Sequence, residues 1–219
     1  GVEFAGYYGH SAEDIKKMLD ETNLVCCGTH AQFASLQDDV LEETIAFNKT
    51  IGNRRLIVPG LPGDRLADAD AIKATAEWFN QLAAKLEPHR MYTGYHAHAG
   101  DFAKLADDKT KWDLLFELTE QPVIMQIDLG NCMDGGGDPI AVLKKFPGRA
   151  GSVHLKEHGG EDNAVIGNGD APVKEAIELC KTIGGTRWFV VEQERYPKGV
   201  TPLEACGQCI ENLKKLGVG

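Results

Sequence analysis

The chain has 219 residues and a formal net charge of −10, from 23 Lys and Arg against 33 Asp and Glu. At 42% hydrophobic and 26% charged it has the composition of a globular domain, with length enough for a full core. An acidic surface repels phosphate backbones and disfavours general nucleic-acid binding, and no apolar stretch reaches the roughly 20 residues a membrane-spanning helix needs.

In chain order, short apolar or β-branched runs at 2–5, 24–29, 56–59, 91–96, 123–128, 151–155 and 188–192 read as strands. Each is followed by a polar turn and an amphipathic stretch that reads as a helix. Ser11 with Asp14 forms a capping box, and Asp170-Ala171-Pro172 marks a helix start. Thr201-Pro202-Leu203-Glu204 is a second box with Pro at the first helical position. Ile15, Met18 and Leu19 make one apolar face, and Val40, Leu41, Thr44, Ile45 and Ile51 another. Repeated βα units predict a parallel sheet covered by helices, either an open doubly wound sheet or a closed TIM-type (β/α) barrel. No G-x-G-x-x-G follows the first strand, so the nucleotide-binding open sheet lacks its signal. Seven units are visible where a barrel has eight, and the expectation is that the first is absent. With no linker or low-complexity segment, one domain over 1–219 is expected.

Buried parallel strands should be apolar, yet these end in polar side chains. Period-2 alternation puts Gln126 with Asp128, Ser152 with His154 and Lys156, Glu192 with Glu194, and His96 with His98 on shared faces. The second strand ends in His30, and the first carries Glu3. Ligand-type groups at six of seven strand ends point to a site on the rim of a barrel. Asp, His and Glu converging there form an N/O set suited to one divalent ion: manganese, magnesium, cobalt or zinc. The segment 131–137, Asn-Cys-Met-Asp-Gly-Gly-Gly, reads as a mobile lid. The segment 166–170 is expected to border the site, and Glu157, Glu161 and Asp162 to form a solvated loop.

Six cysteines are present. Cys26-Cys27 lies in an apolar run as packing. Cys206-x-x-Cys209 has a redox or zinc spacing but falls in the last helix without a second pair or a nearby His, so helix packing is expected. Reduced thiols suit a cytoplasmic protein. The start Gly1-Val2-Glu3-Phe4, without Met, is also what removal of an export signal would leave.

The segments Gly1-Val2-Glu3-Phe4-Ala5-Gly6, Gly94-Tyr95-His96-Ala97-His98, Ile127-Asp128-Leu129-Gly130-Asn131, Val153-His154-Leu155-Lys156 and Val191-Glu192-Gln193 resemble the sugar phosphate isomerase/epimerase group of xylose isomerase-like barrels. The resemblance runs in order along nearly the whole chain. It implies a divalent metal held by Asp128, His154 and Glu192. A fourth ligand falls at Asp101, where many relatives with a similar two-His segment carry Glu; His96 or His98 is its substitute. From their positions and chemistry, Glu192, His98 and Lys156 are expected to be catalytic, His96 to contact substrate, and Glu3 and His30 to contact substrate or support the groups that do.

The activity so implied is isomerisation or epimerisation of a small carbohydrate or polyol, by proton removal next to a carbonyl and a metal-stabilised enediolate. Ketose 3-epimerases of the group use two metal-bound Glu residues. Here only Glu192 is in place, and His96 and His98 stand where the other would be. A keto-sugar or keto-inositol dehydratase or lyase is therefore the alternative, and a non-catalytic or partner-dependent barrel subunit another. The related abasic-site endonucleases need a basic groove, which the acidic balance disfavours. A homo-oligomer is compatible with all of these.

Overall fold

Each of the seven apolar runs becomes a strand: β1 (Val2–Phe4), β2 (Cys26–His30), β3 (Arg55–Val58), β4 (Tyr92–His96), β5 (Ile124–Asp128), β6 (Ser152–Leu155) and β7 (Trp188–Val191). Helices α1 (Ala12–Thr22), α2 (Leu41–Thr50), α3 (Ala69–Leu86), α4 (Lys111–Leu118), α5 (Leu129–Asp134), α6 (Pro139–Lys145), α7 (Val173–Leu179) and α8 (Pro202–Lys215) fall between and after them. The computed structural model describes residues 1–106, 108–160 and 164–218. Glu161 and Asp162 lie outside the described residues. No described helix is long and apolar enough to cross a membrane.

The chain divides into two compact units, one of Gly1–His96 with Leu114–Met125 and one of Ala97–Asp113 with Gln126–Gly219. In the first, β1, β2, β3 and β4 pair in parallel in that order. Leu56, Ile57 and Val58 are fully buried, as a central strand covered on both faces requires. One side of the core is Ala12, Ile15, Leu19, Cys26 and Ile51, with Val2, Phe4, Tyr7 and Phe47 packed against it. Met18, expected on the same face, is 41% exposed. A helical stripe three residues wide overshoots where α1 covers the sheet only through positions 12, 15 and 19.

In the second unit the closing residues of β5 pair with β6, and β6 with β7, all parallel. The register sets Asp128 beside His154 and Leu155 beside Val191, and the Glu192 N–H donates to the Leu155 carbonyl at 3.1 Å. Asp128, His154 and Glu192 thus arrive at adjacent strand ends. Beneath them Gln126 Nε2 donates to Ser152 Oγ at 2.8 Å, both fully buried, which is the inner layer that alternation predicts. β1 in the first unit and β7 in the second are half-buried along their length.

The segment 131–137 is not a lid. Asn131 and Cys132 are buried within α5, and a Cβ at Gly137 would lie 2.7 Å from Cys132 Sγ and 2.9 Å from the Phe102 ring. Gly135 and Gly137 serve close packing. All six cysteines are free. Cys209 is buried in α8 and its Sγ donates to Gln193 Oε1 at 3.0 Å, a packing role as expected.

Candidate metal centre and active site

Ligand atoms of Asp128, His154 and Glu192 lie within 4.8 Å of one another in the second unit. Asp128 is wholly buried as the N-cap of α5, and its Oδ1 accepts from the Asn131 N–H at 2.6 Å. Its Oδ2 is buried with no hydrogen-bond partner among the described residues. Burial, with the Glu192 charge next, pushes the Asp128 carboxyl up to about 7 against the Asn131 hydrogen bond and the charges of His154 and Lys156. An orphaned carboxylate oxygen beside an imidazole and a second carboxylate is a donor set that fits a divalent cation.

His154 Nδ1 is hydrogen-bonded to Glu192 Oε2. The other Glu192 oxygen accepts from Lys156 Nζ at 3.2 Å. That ammonium also donates to Asn131 Oδ1 at 3.0 Å and to the Glu194 carboxylate, so its three donors are engaged. Burial alone would pull the Lys156 ammonium down, but the Glu194 bond and the charges of Glu192, Asp128 and Glu194 outweigh it and raise the pKa. Lys156 is therefore a fixed positive charge beside Glu192.

His98 and Asp101 follow β4 in the same unit. The strand stops at His96, so alternation does not carry on to His98, which is exposed where His96 is buried. Asp101 is buried, with Oδ2 accepting from the His98 N–H at 2.8 Å. It caps its own turn, and it is not among the described groups close enough together to share an ion.

Two contributors were not singled out as site residues. Asn131 ties Asp128 to Lys156 and donates from Nδ2 to the Ala97 carbonyl at 2.9 Å. Its place three residues after an N-cap Asp was the available signal. Glu157, expected in a solvated loop, is instead 7% exposed. Its carboxylate accepts from the N–H groups of His158 (2.9 Å), Gly167 (2.7 Å) and Ala171 (2.8 Å), fixing the segment that follows β6.

In the first unit, His30 and His96 close strands β2 and β4, and Glu3 is the central residue of β1. His30 Nε2 lies 3.1 Å from Glu3 Oε1, and the His30 and His96 ring centroids are 4.7 Å apart. A Cβ at Gly28 would sit 2.3 Å from Glu3 Oε2, so a side chain there would displace that carboxylate from its present position.

The family model described as xylose isomerase-like TIM barrel matches residues 1–216. The chain belongs to the xylose isomerase-like TIM barrel family. Among its relatives is the inosose dehydratase of Clostridium tetani, 26% identical over 152 residues, which are 60% of this chain and 50% of that protein. The chain thus spans about half the length of that relative. A sugar phosphate isomerase/epimerase crystal structure from Parabacteroides distasonis superposes with a TM-score of 0.83 at 23% identity, over 97% of this chain and 86% of that one. The IolI protein, whose structure was solved with a bound zinc atom, superposes with a TM-score of 0.70 at 16% identity, over 95% of this chain and 82% of its own. In TIM barrels active sites stand at the C-terminal ends of the strands, and Asp128, His154 and Glu192 lie at or next to the C-terminal ends of β5, β6 and β7.

Proposed function

We propose that the protein is a divalent-metal-dependent enzyme that removes a proton from the carbon next to a carbonyl of a small carbohydrate or polyol. Asp128, His154 and Glu192 would hold the ion, and the orphaned Oδ2 of Asp128 is the observation that carries the reading. A divalent ion there supplies Lewis-acid stabilisation of the negative charge that develops on the carbonyl oxygen. Zinc in IolI supports a metal at this kind of site; manganese, magnesium and cobalt suit the same donors. Glu192 is assigned as the base, with Lys156 holding one of its oxygens and adding positive charge where the enediolate forms. His98, exposed on the segment after β4, is assigned the second proton transfer, and Asp101 holds that segment. Glu3, His30 and His96 are assigned to substrate hydroxyls.

Two outcomes share this first step. Expelling a β-hydroxyl gives a dehydratase, and the inosose dehydratase relative favours it. Returning the proton to another carbon gives an isomerase or epimerase, and the likeness to the Parabacteroides structure is compatible with that. Both outcomes use Glu192 as the base and His98 as the second proton carrier, so the relative and not the count of carriers favours the dehydratase. The test is incubation of the metal-loaded protein with an inosose and with unphosphorylated ketoses in D₂O, read by mass spectrometry. Loss of water from the inosose is the expected result; deuterium uptake without loss of water would select the isomerase. Neither change, or no metal by elemental analysis after manganese or zinc is supplied, would sink the enzyme reading in favour of a non-catalytic barrel.

A further inference from the structure

The first unit contains a cavity of about 340 Å³, at the small-ligand end of the range for binding pockets. Gly6 and Tyr7 from the turn after β1, His30 and Ser35 after β2, and Glu43 and Phe47 on α2 line it. The Tyr7 and Phe47 rings stack with centroids 4.2 Å apart. The Tyr7 hydroxyl donates to Asn48 Oδ1 at 2.9 Å, and Asn53 Nδ2 donates to the same oxygen at 2.8 Å. This polar network anchors the aromatic wall, so the cavity is preformed. In the turn supplying Gly6 and Tyr7, φ is +120° at Gly6 and +81° at Gly9, which glycine adopts freely, and +52° at Tyr8. An aromatic residue in the left-handed region carries a cost that a simple connection would not need. Tyr8 itself stands 85% exposed beside the cavity-lining Tyr7 in sequence.

Two features define what fits. No Lys or Arg is among the lining residues, while Glu43 is. A phosphate or carboxylate entering here would lose hydration against a carboxylate with no cation to replace it. The aromatic pair presents a face suited to a flat apolar ring surface. His30 belongs both to this cavity and to the row with Glu3 and His96. A ligand held at that row through its hydroxyls can therefore extend a substituent into the cavity.

We propose that this cavity is a substrate subsite for an uncharged ring carried next to the reacting sugar or polyol, and that it selects against a phosphate at that position. The proposal rests on the reading of Glu3 and His30 as substrate contacts, and its test does not depend on turnover. Phenyl β-glucoside is the neutral probe and phenyl phosphate the charged one, titrated into the full chain by calorimetry. The variants are Ser35→Trp, which fills the cavity, and Phe47→Ala, which removes the platform, and the wild type is also titrated with EDTA present to strip any bound ion. Circular dichroism checks that each is folded. The glucoside should bind the wild type alike with and without EDTA. Ser35→Trp and Phe47→Ala should weaken it about tenfold, the scale of one lost aromatic contact. Phenyl phosphate should not compete. Equal binding by wild type and Ser35→Trp, no glucoside binding by the wild type, or tighter binding of phenyl phosphate would each overturn the subsite. Intact glucoside binding in a protein that takes up no metal would instead sink the metal reading and leave the subsite standing.

Discussion

At the scale of single residues, Asp128 carries two separable functions. Oδ1 caps α5 through the Asn131 N–H, and Oδ2, buried without a hydrogen-bond partner among the described residues, is the oxygen proposed for the ion. Asp128→Asn keeps an acceptor for the cap and removes the charge. Because burial raises the Asp128 pKa to about 7, its charged form opposes folding of the metal-free chain above that pH. With EDTA present at pH 8 the Asn variant should be at least as resistant to urea as the wild type. That advantage should fade as pH falls toward the ordinary carboxylate range, where the unfolded chain is protonated too. A marked loss of stability at pH 8 would mean that Asp128 is structural. Glu157 is the opposite case: truncation to Ala leaves three backbone N–H groups without their acceptor, at a cost of about 3 kcal/mol or more. Urea midpoints of Glu157→Ala and Glu157→Gln would show it, the Gln variant recovering part because one oxygen remains. Strand alternation and chain order put Asp128, His154 and Glu192 at or next to strand ends, and the family resemblance, not periodicity, is what picks these three out as one set. The sequence misplaces Glu157 because its partners are backbone N–H groups as far as fourteen positions away, which no periodicity reports.

At the scale of elements, what was legible was local. All seven strands stand within two residues of their predicted ends, because β-branched runs bounded by turns leave little choice of where a buried strand can lie. Both capping boxes form: Asp14 N donates to Ser11 Oγ at 3.1 Å, and Thr201 N donates to Glu204 Oε2 at 2.8 Å. Thr201→Ala should therefore cost about 1 kcal/mol, read as a lowered thermal midpoint. No change there would mean that Pro202 alone sets the start of α8. What was not legible was where an element stops. His98 was placed on the His96 face by extending β4 two residues past its end. The glycines of 135–137 suggest mobility in the sequence, yet two of them answer the need for contact with Ala99, Phe102 and Cys132. Glycine looks alike in a hinge and in a close approach, and only the neighbours distinguish them.

For the molecule as a whole, the metal ligands proposed here all lie in the second compact unit. An ion that binds the folded chain and not the unfolded one stabilises it by mass action, about 2.7 kcal/mol at a free concentration one hundred times Kd. For a chain of this length that corresponds to a rise of roughly 5–10 °C in the unfolding midpoint. The same binding should slow amide exchange at 128–134, 152–157 and 189–194, where the ligands and the groups that hold them lie. A surplus of ten acidic charges also draws cations to the surface generally, so a rise in the midpoint alone does not prove a site. The discriminating comparison is manganese or zinc against magnesium and against an equal ionic strength of potassium, in the wild type and in Asp128→Asn. Bulk attraction to an acidic surface gives similar shifts in both proteins and a diffuse exchange pattern. A built site gives a shift that the Asn variant loses and protection confined to those three segments, and equal shifts in the two proteins would show that Asp128 does not hold the ion.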